Sequence, residues 1–337
     1  MCVREGAAVI LPEPRGPLSA DVVRALRADG EVRRDVEATD EEDFHLSLWL
    51  LYELHYRSFE GVDDSLEWSP PLLALRRALE EQFEAELRGA CAPLVARAEQ
   101  ADGVPDQLAA IASFDSGTSL PLFLQREATR DQYLEFLVQR SLYHLKESDP
   151  QAWALPRLDG PAKVALAELQ YDEFGGGRPE RLHSRLFAEA LAAAGLESSF
   201  GAYVNRVPSY TLAVNNAMSL FGLHRRLRGA AMGHLAAFEM TSSLPCRRLL
   251  QGADRLELPE AVGHYFDEHV EADAVHEHLA SRGICGALVG AEPDLQSDVL
   301  FGAAACVHLD AVVAERMVDA WTHGQSTLLA EAGENVA

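Results

Sequence analysis

The sequence has few basic residues, and this shortage limits the partners that the protein can bind. Lysine and arginine total 29 against 53 aspartates and glutamates, so the formal net charge is -24 at neutral pH. A surface of this sign repels DNA, RNA and anionic lipid. We therefore expect neither a nucleic acid nor a membrane among the partners of this chain.

Cysteine is scarce as well, and no two cysteines form a CxxC pair. An odd number scattered along the chain does not resemble a disulfide framework. We expect reduced thiols in a cytoplasmic protein, buried as small apolar side chains. The five residues are Cys2, Cys91, Cys246, Cys285 and Cys306.

Long apolar runs are also missing from the sequence. The apolar stretch at 7–11 ends at Pro12 and Glu13, too soon for the apolar region of a secretion signal. Elsewhere we find no apolar stretch that approaches the length of a membrane span. We therefore expect no transmembrane helix.

Helix-forming sequence is abundant. Hydrophobic residues make up 48% of the chain, enough for a sizeable core, and Ala, Leu, Glu and Arg dominate long stretches. Apolar residues recur with a period near 3.6 in seven segments, which predicts an all-α bundle. The predicted helices span 121–148, 159–174, 179–195, 209–228, 230–248, 257–281 and 298–329.

An additional helical layer precedes these segments. Acidic residues at 40–43 suit the start of an apolar helix at 44–56, and the Ser-Pro-Pro sequence at 69–71 suits the start of a second one. We predict an N-terminal helical extension at 1–115 and a main bundle at 116–330. Because the apolar helices of the extension need covering, we expect a homodimer.

One predicted helix carries His269, Asp273 and His276 at successive offsets of four and three residues. This spacing places all three side chains on one helical face, so they can reach one metal ion. Neutral imidazole with carboxylate is the ligand set of non-haem iron, manganese or zinc. A solvated polar face is the alternative, because other acidic residues lie nearby.

A second cluster contains Glu173, three glycines, Glu180 and His183. Glu180 and His183 form a Glu-x-x-His pair, the element that di-iron carboxylate bundles project inward from their helices. Any acidic helix with a few histidines produces the same spacing, so an exposed surface remains the alternative.

Two more glutamates extend the candidate site. Glu239 has apolar neighbours on nearly every side, so an ionised carboxylate there needs a cation or a hydrogen-bonding partner. Glu147 lies at the end of a predicted helix, where an exposed residue of the last turn is an equal alternative. The four segments together offer three imidazoles and several carboxylates, about the number of ligands that two metal ions with open positions for O₂ need.

In combination, these motifs resemble the haem-oxygenase-like di-iron oxidases, often described as iron-containing redox enzymes. The resemblance extends over roughly residues 120–290, about half of the chain. The motifs that carry it are Glu147-Ser-Asp-Pro, Glu168-Leu-Gln-Tyr-Asp-Glu-Phe-Gly-Gly-Gly, Ala237-Phe-Glu-Met-Thr-Ser, and His269 with Asp273 and His276.

The resemblance implies a haem-oxygenase-like seven-helix bundle that binds a pair of Fe(II) ions and uses O₂ as co-substrate. It also implies N-oxygenation or oxidative C–C cleavage of a small amine- or carboxylate-bearing metabolite. No catalytic residue is expected beyond the metal ligands. The implied ligands are Glu147, Glu173, His183, Glu239, His269, Asp273 and His276, with Glu180 as an alternate.

Three other functions remain open on the same fold. A haem protein needs one axial imidazole rather than several imidazoles among carboxylates. A cofactor-free enzyme of the thiaminase type needs a nucleophilic cysteine beside a base, and no cysteine is near the histidine cluster in sequence. A non-catalytic metal-binding protein is the third. We expect packed or hydrogen-bonded roles for Glu53 and His55, outside the metal site.

Overall fold

The computed structural model describes residues 9–33 and 35–330, apart from the side chains of 271–275. Within these ranges the chain is helical, and its one β-type contact is an isolated bridge between Val9 and Phe59. The all-α prediction is confirmed. The α-helices are α1 (Pro17–Leu26), α2 (Glu41–Glu53), α3 (Pro70–Ala98), α4 (Val104–Ala112), α5 (Leu120–Arg126), α6 (Arg130–His144), α7 (Asp149–Ala152), α8 (Gly160–Glu173), α9 (His183–Ala193), α10 (Ser209–Leu223), α11 (Arg228–Met240), α12 (Ser243–Arg255), α13 (Glu260–His278), α14 (Ala287–Ala291) and α15 (Gln296–Thr322).

Polar caps explain where several helices begin. The Asp40 side chain accepts a hydrogen bond from the backbone N–H of Asp43, which caps α2 as the acidic run predicts. Thr129 and Gln132 form a capping box at the start of α6. This cap divides the predicted helix at 121–148 into α5 and α6.

The predicted helix at 179–195 is wrong at its start. Pro179–Arg181 forms a separate 3₁₀ turn, and α9 begins only at His183. Between them, Leu182 has an extended backbone with φ −56° and ψ 122°. Proline tolerates the first position of a turn, and the extended residue then stops the turn from continuing into α9. The expected shared helical face of Glu180 and His183 therefore does not exist.

The centre of the bundle is the close packing of α11 against α15. Gly233 and Gly302 make this approach feasible. A Cβ at Gly233 would lie 1.8 Å from the carbonyl oxygen of Val299, and one at Gly302 would lie 1.9 Å from that of Ala230. No side chain fits at such distances, so the two glycines set the separation of the helices.

The N-terminal helices share this core rather than lying apart from it. The apolar side chains of α2 are buried within the chain, and α2 packs against α1, α3 and α10. The predicted boundary between 115 and 116 falls in the connection from α4 to α5. Division into two domains remains a prediction. Cys91, Cys285 and Cys306 are buried free thiols, as the sequence indicates.

The last long helix corrects one expectation. Pro293–Thr322 contains a window with a mean hydropathy of 1.5, long and apolar enough by composition to cross a membrane. The expectation that no apolar stretch approaches this length is therefore wrong. However, 67% of that window is buried inside the protein, where α15 packs against α11. These features are typical of a central core helix.

Helix α13 continues directly into a π-helical segment, Leu279–Gly286. This segment packs against α4, α8 and α11. It anchors the C-terminal end of the helix that carries His269 and His276.

Candidate metal centre

Among the residues that the structure describes, six buried side chains of metal-ligand type form two adjacent groups. In each group, one ligand atom from every residue lies within 4.8 Å of the others. Each of these residues is 6% exposed or less. The first triad consists of Glu147, His183 and His269, and the second triad consists of Glu173, Glu239 and His276.

Glu173 lies between the two triads. Its Oε2 atom is 3.2 Å from Nδ1 of His183 in the first triad. Its Oε1 atom is 3.5 Å from Nδ1 of His276 in the second, and the same nitrogen is 3.5 Å from Oε2 of Glu239. One carboxylate therefore faces ligand atoms of both groups, the position that a bridging ligand requires.

The ligands come from five different places in the fold. His269 and His276 are seven residues apart on α13, which is about two helical turns and therefore one face. Glu173 ends α8, and His183 begins α9. Glu239 lies near the end of α11, and Glu147 lies in the turn after α6.

The turn after α6 has an unusual backbone. Ser148 has a positive φ of 68°, which a non-glycine residue adopts only where its surroundings impose it. Its hydroxyl donates a hydrogen bond of 3.2 Å to Oε2 of Glu173. The turn thus directs Glu147 into the first triad and also supports the carboxylate between the triads.

Hydrogen bonds outside the triads orient two of the histidines. Nδ1 of His269 lies 2.7 Å from the carbonyl oxygen of Tyr265, one turn earlier on α13, so this nitrogen carries the proton and donates it. Nε2 of His276 lies 2.9 Å from Oδ2 of Asp172. In each ring the opposite nitrogen faces the carboxylates, an arrangement typical of metal-binding histidines.

Glu147 is held on both of its oxygens. Oε1 lies 2.9 Å from Nδ1 of His144, and Oε2 accepts a 2.9 Å hydrogen bond from the hydroxyl of Tyr265. Burial alone would raise the pKa of Glu147, but His144 and His269 outweigh it and hold that pKa well below the usual range. The carboxylate is therefore kept ionised inside the protein.

The second triad carries more negative charge than its imidazole can balance. Burial raises the pKa of Glu239, an effect that His276 opposes and Glu173 reinforces. Burial lowers the pKa of His276, but the neighbouring carboxylates outweigh it and raise that pKa to about 9. Without a metal, a proton on His276 therefore compensates the carboxylates, and a bound cation would take over that role.

Two buried histidine nitrogens of the triads lack hydrogen bonds and are placed as metal ligands would be. Nδ1 of His183 and Nδ1 of His276 are buried, and each lies close to carboxylate oxygens without the geometry of a hydrogen bond. Buried polar atoms in proteins are normally hydrogen-bonded. Nitrogen atoms that lack such a bond and converge with carboxylates at one point fit the ligand set of non-haem iron.

Two predicted ligands are not placed in a triad. Glu180 is exposed in the 3₁₀ turn Pro179–Arg181, because α9 starts after it. Asp273 lies among the residues whose side chains fall outside the described part of the structure. Glu53 and His55 belong to neither triad, and they face Lys146 and Glu67 respectively.

Several contacting residues were missed by the sequence analysis. Asp172 could have been found, because it directly precedes Glu173 in a motif already singled out. His144 precedes Glu147 by three residues, a spacing that also carried information. The role of Tyr265 could not be predicted from the sequence. Its carbonyl oxygen orients His269, and its hydroxyl reaches Glu147 only through the tertiary packing of the helices.

A cavity of about 300 Å³ opens onto the first triad. Glu147 and His269 line it together with His144 and Tyr265, whereas no residue of the second triad does. Most of its other lining residues are apolar. Cys246 also lines the cavity, so a cysteine distant from His269 in sequence is close to the site in space.

Comparison with known proteins agrees with this geometry. A family model described as iron-containing redox enzyme matches residues 134–311, a range that contains both triads. Nitrosourea synthase from Streptomyces achromogenes subsp. streptozoticus is 32% identical over 164 residues, which cover 47% of this chain and 34% of that protein. The chain therefore matches about a third of the length of this relative. With the family match extending over more than half of its residues, this haem-oxygenase-like, all-α chain is an oxidoreductase and belongs to the family of iron-containing redox enzymes.

Proposed function

We propose that the protein is an O₂-activating di-iron oxygenase or oxidase that acts on a small amine- or carboxylate-bearing metabolite. The observation that carries this proposal is the pair of buried triads with Glu173 between them. Each triad offers both imidazole and carboxylate, so each suits one Fe(II) ion. Two such ions would also neutralise the three buried carboxylates of the triads.

The bound iron would supply the electrons and the open coordination positions that O₂ reduction needs. The protein's own contribution is to hold the ligands, orient them and exclude water. Tyr265 and Asp172 fix the rings of His269 and His276 through their outer nitrogens. Apolar side chains around the cavity keep bulk water away from the first triad.

The substrate would approach through the cavity, because that space reaches the first triad directly. N-oxygenation and oxidative C–C cleavage are both compatible with this geometry. The similarity to nitrosourea synthase supports a nitrogen-containing substrate. A haem-binding role is not favoured, since all three triad histidines face carboxylates.

Anaerobic titration with Fe(II), followed by metal analysis and Mössbauer spectroscopy, tests the proposal. We expect up to two iron ions per chain, and replacing His183 or His276 by alanine should remove iron while helical content is kept. His264 is the matched control, because it is exposed on the same helix as His276. Full occupancy by a single zinc with only traces of iron would refute a di-iron centre.

We further propose that the protein is a cytoplasmic homodimer that binds neither nucleic acid nor membrane. The acidic composition supports the exclusion of polyanions. Ile10 and Trp68 in the N-terminal layer are 73% and 68% exposed, and a second copy would cover such side chains. Light scattering that returns the mass of one chain would refute the dimer.

A further inference from the structure

The cavity meets solvent at one irregular segment of the chain. Residues 113–119, the α4–α5 segment, connect α4 to α5 without forming a helix. Among the described residues that line the cavity, two residues of this segment are exposed, and all the others are half-buried or buried. These two are Phe114 and Asp115. Most of the remaining wall consists of helices, so the α4–α5 segment is the part of the wall nearest to solvent. The segment contributes Phe114, Asp115, Ser116, Thr118 and Ser119 to the wall.

Hydrogen bonds tie this segment mainly to itself. The backbone N–H of Gly117 donates to Oδ1 of Asp115 at 2.8 Å, and the hydroxyl of Ser116 donates to the carbonyl oxygen two residues later at 3.3 Å. In the described part of the structure, one hydrogen bond links the segment to a distant helix, from Nη1 of Arg248 on α12 to the hydroxyl of Ser119 at 3.5 Å. Segments with few tertiary contacts open at a low cost in free energy. The segment can therefore move without breaking the bonds that hold the bundle.

Both ends of the segment are fixed, but its tip is not packed. Ile111 near the end of α4 is fully buried, and Leu120 at the start of α5 is 3% exposed. The Ser119 side chain accepts a hydrogen bond from the backbone N–H of Leu122 and so caps α5. At the tip, Gly117 has a φ of 85°, and a Cβ there would meet nothing within 4 Å. The tip can therefore move while both helices stay in place.

From this arrangement we propose that the α4–α5 segment is a lid over the cavity and that Phe114 is the side chain that closes it. Phe114 is 39% exposed although it lines the cavity. Moving its ring inwards would remove apolar surface from water, which favours the closed state. Moving it outwards would admit the substrate, and closure would then keep water away from the first triad. The inference rests on the proposed function only in taking the cavity to be the path of the substrate.

The rate at which iodoacetamide alkylates Cys246 reports opening of the lid without turnover. Cys246 lines the cavity, whereas Cys91, Cys285 and Cys306 are buried outside it. Peptide mass spectrometry of metal-free protein measures the rate at this residue alone. Phe114→Gln and Phe114→Leu both shorten the side chain, but only glutamine is polar. F114Q loses the apolar burial that favours closure, so its Cys246 should react about fivefold faster than in the parent protein. F114L stays apolar and should change the rate by less than about twofold.

Leu244→Ala is the matched control for an apolar side chain outside the cavity. Leu244 is 57% exposed on α12, two residues before Cys246, and it does not line the cavity. L244A should leave the alkylation rate unchanged. A rate in F114Q that equals the rate of the parent protein, or that of F114L, would overturn the inference.

Hydrogen exchange of the parent protein provides a second measurement that needs no variant. Backbone amides of residues 114–118 should exchange at least about a hundredfold faster than those of α4, because local opening exposes them first. Protection as strong as that of α4 would show a rigid segment and would overturn the lid. Both experiments use metal-free protein. A rigid segment would therefore leave the di-iron proposal standing, and failure of iron to bind would leave the lid standing.

Discussion

Replacing Lys146 by methionine tests a buried ion pair that joins the N-terminal helices to the metal-binding bundle. Lys146 Nζ lies 3.0 Å from Oε2 of Glu53, and the two side chains are 3% and 1% exposed. The ammonium also lies 4.0 Å from the ring centroid of Tyr56 and 5.1 Å from that of Phe200. Methionine keeps an apolar stem of similar length but removes the charge, so Glu53 loses its closest cation.

Removing one partner of a buried ion pair costs about 3–5 kcal/mol, and we expect a loss of this size for K146M near pH 7. Burial raises the pKa of Glu53 above its usual value, although Lys146 and Arg57 oppose that effect. Loss of Lys146 should raise the pKa further. A carboxyl group with a raised folded-state pKa stabilises the fold most at low pH, and its contribution is lost as the pH rises through that pKa. The difference in unfolding free energy between K146M and the parent protein should therefore shrink near about pH 5.

Urea unfolding followed by circular dichroism, at both pH values, provides the measurement. The double variant E53Q/K146M should recover most of the lost stability, because it buries no unpaired charge. Arg77→Met is the surface control, since Arg77 and Glu81 form an ion pair that is 79% and 64% exposed. It should leave the unfolding midpoint nearly unchanged. The reasoning would be refuted if K146M were as stable as the parent protein. It would also be refuted if the double variant lost as much stability as E53Q and K146M lose together.

Three further predictions concern packing, ligation and order. Gly233→Ala should destabilise the fold by about 1–3 kcal/mol or more in urea, because its Cβ has no room against α15. Asp172→Asn should weaken Fe(II) binding about 10–100-fold in competition with a chelator, since it loosens the ring of His276. Residues 172–187 should exchange backbone hydrogens more slowly after Fe(II) loading, because metal binding would tie the end of α8 to the start of α9.

Each of these predictions has a control or a contradicting result. Gly290→Ala should be nearly neutral, because a Cβ there would meet nothing within 4 Å. Equal destabilisation at both glycines would show that close helix packing is not the cause. Asp267 is exposed on α13, so D267N should keep full iron affinity. Unchanged affinity in D172N contradicts the orienting role, and equal strong protection of 172–187 with and without iron contradicts coupled ordering.

The sequence predicted the parts of the site that depend on local helical geometry. His269 and His276 share a face because the helical period fixes it, whatever the rest of the fold does. Glu239 could be singled out because its neighbours along the chain are apolar. Glu180 failed for an equally local reason, since the chain around Pro179 and Leu182 does not continue one helix.

Features that depend on distant segments could not be predicted in this way. Glu53 and Lys146 are 93 residues apart, and nothing in either segment indicates that they pair. Arg140 on α6 and Asp310 on α15 both line the cavity and come within 3.6 Å of each other, although nothing in either segment indicates this approach. Such contacts arise from tertiary packing, which periodicity and residue spacing do not report.

The π-helical segment Leu279–Gly286 changes the direction in which side chains point along the continuous helix that begins with α13. Its hydrogen bonds span five residues instead of four, so each residue turns the chain through a smaller angle than in α13. Before this segment, His269 and His276 belong to the triads. Within it, Ile284 and Cys285 are fully buried, and Cys285 Sγ lies 3.3 Å from the carbonyl oxygen of Met232 on α11. In an uninterrupted α-helix these two sets of side chains would stand at a different angle to each other. The wider turns therefore orient the ligand residues towards the triads and the packing residues towards α11 on one continuous helix.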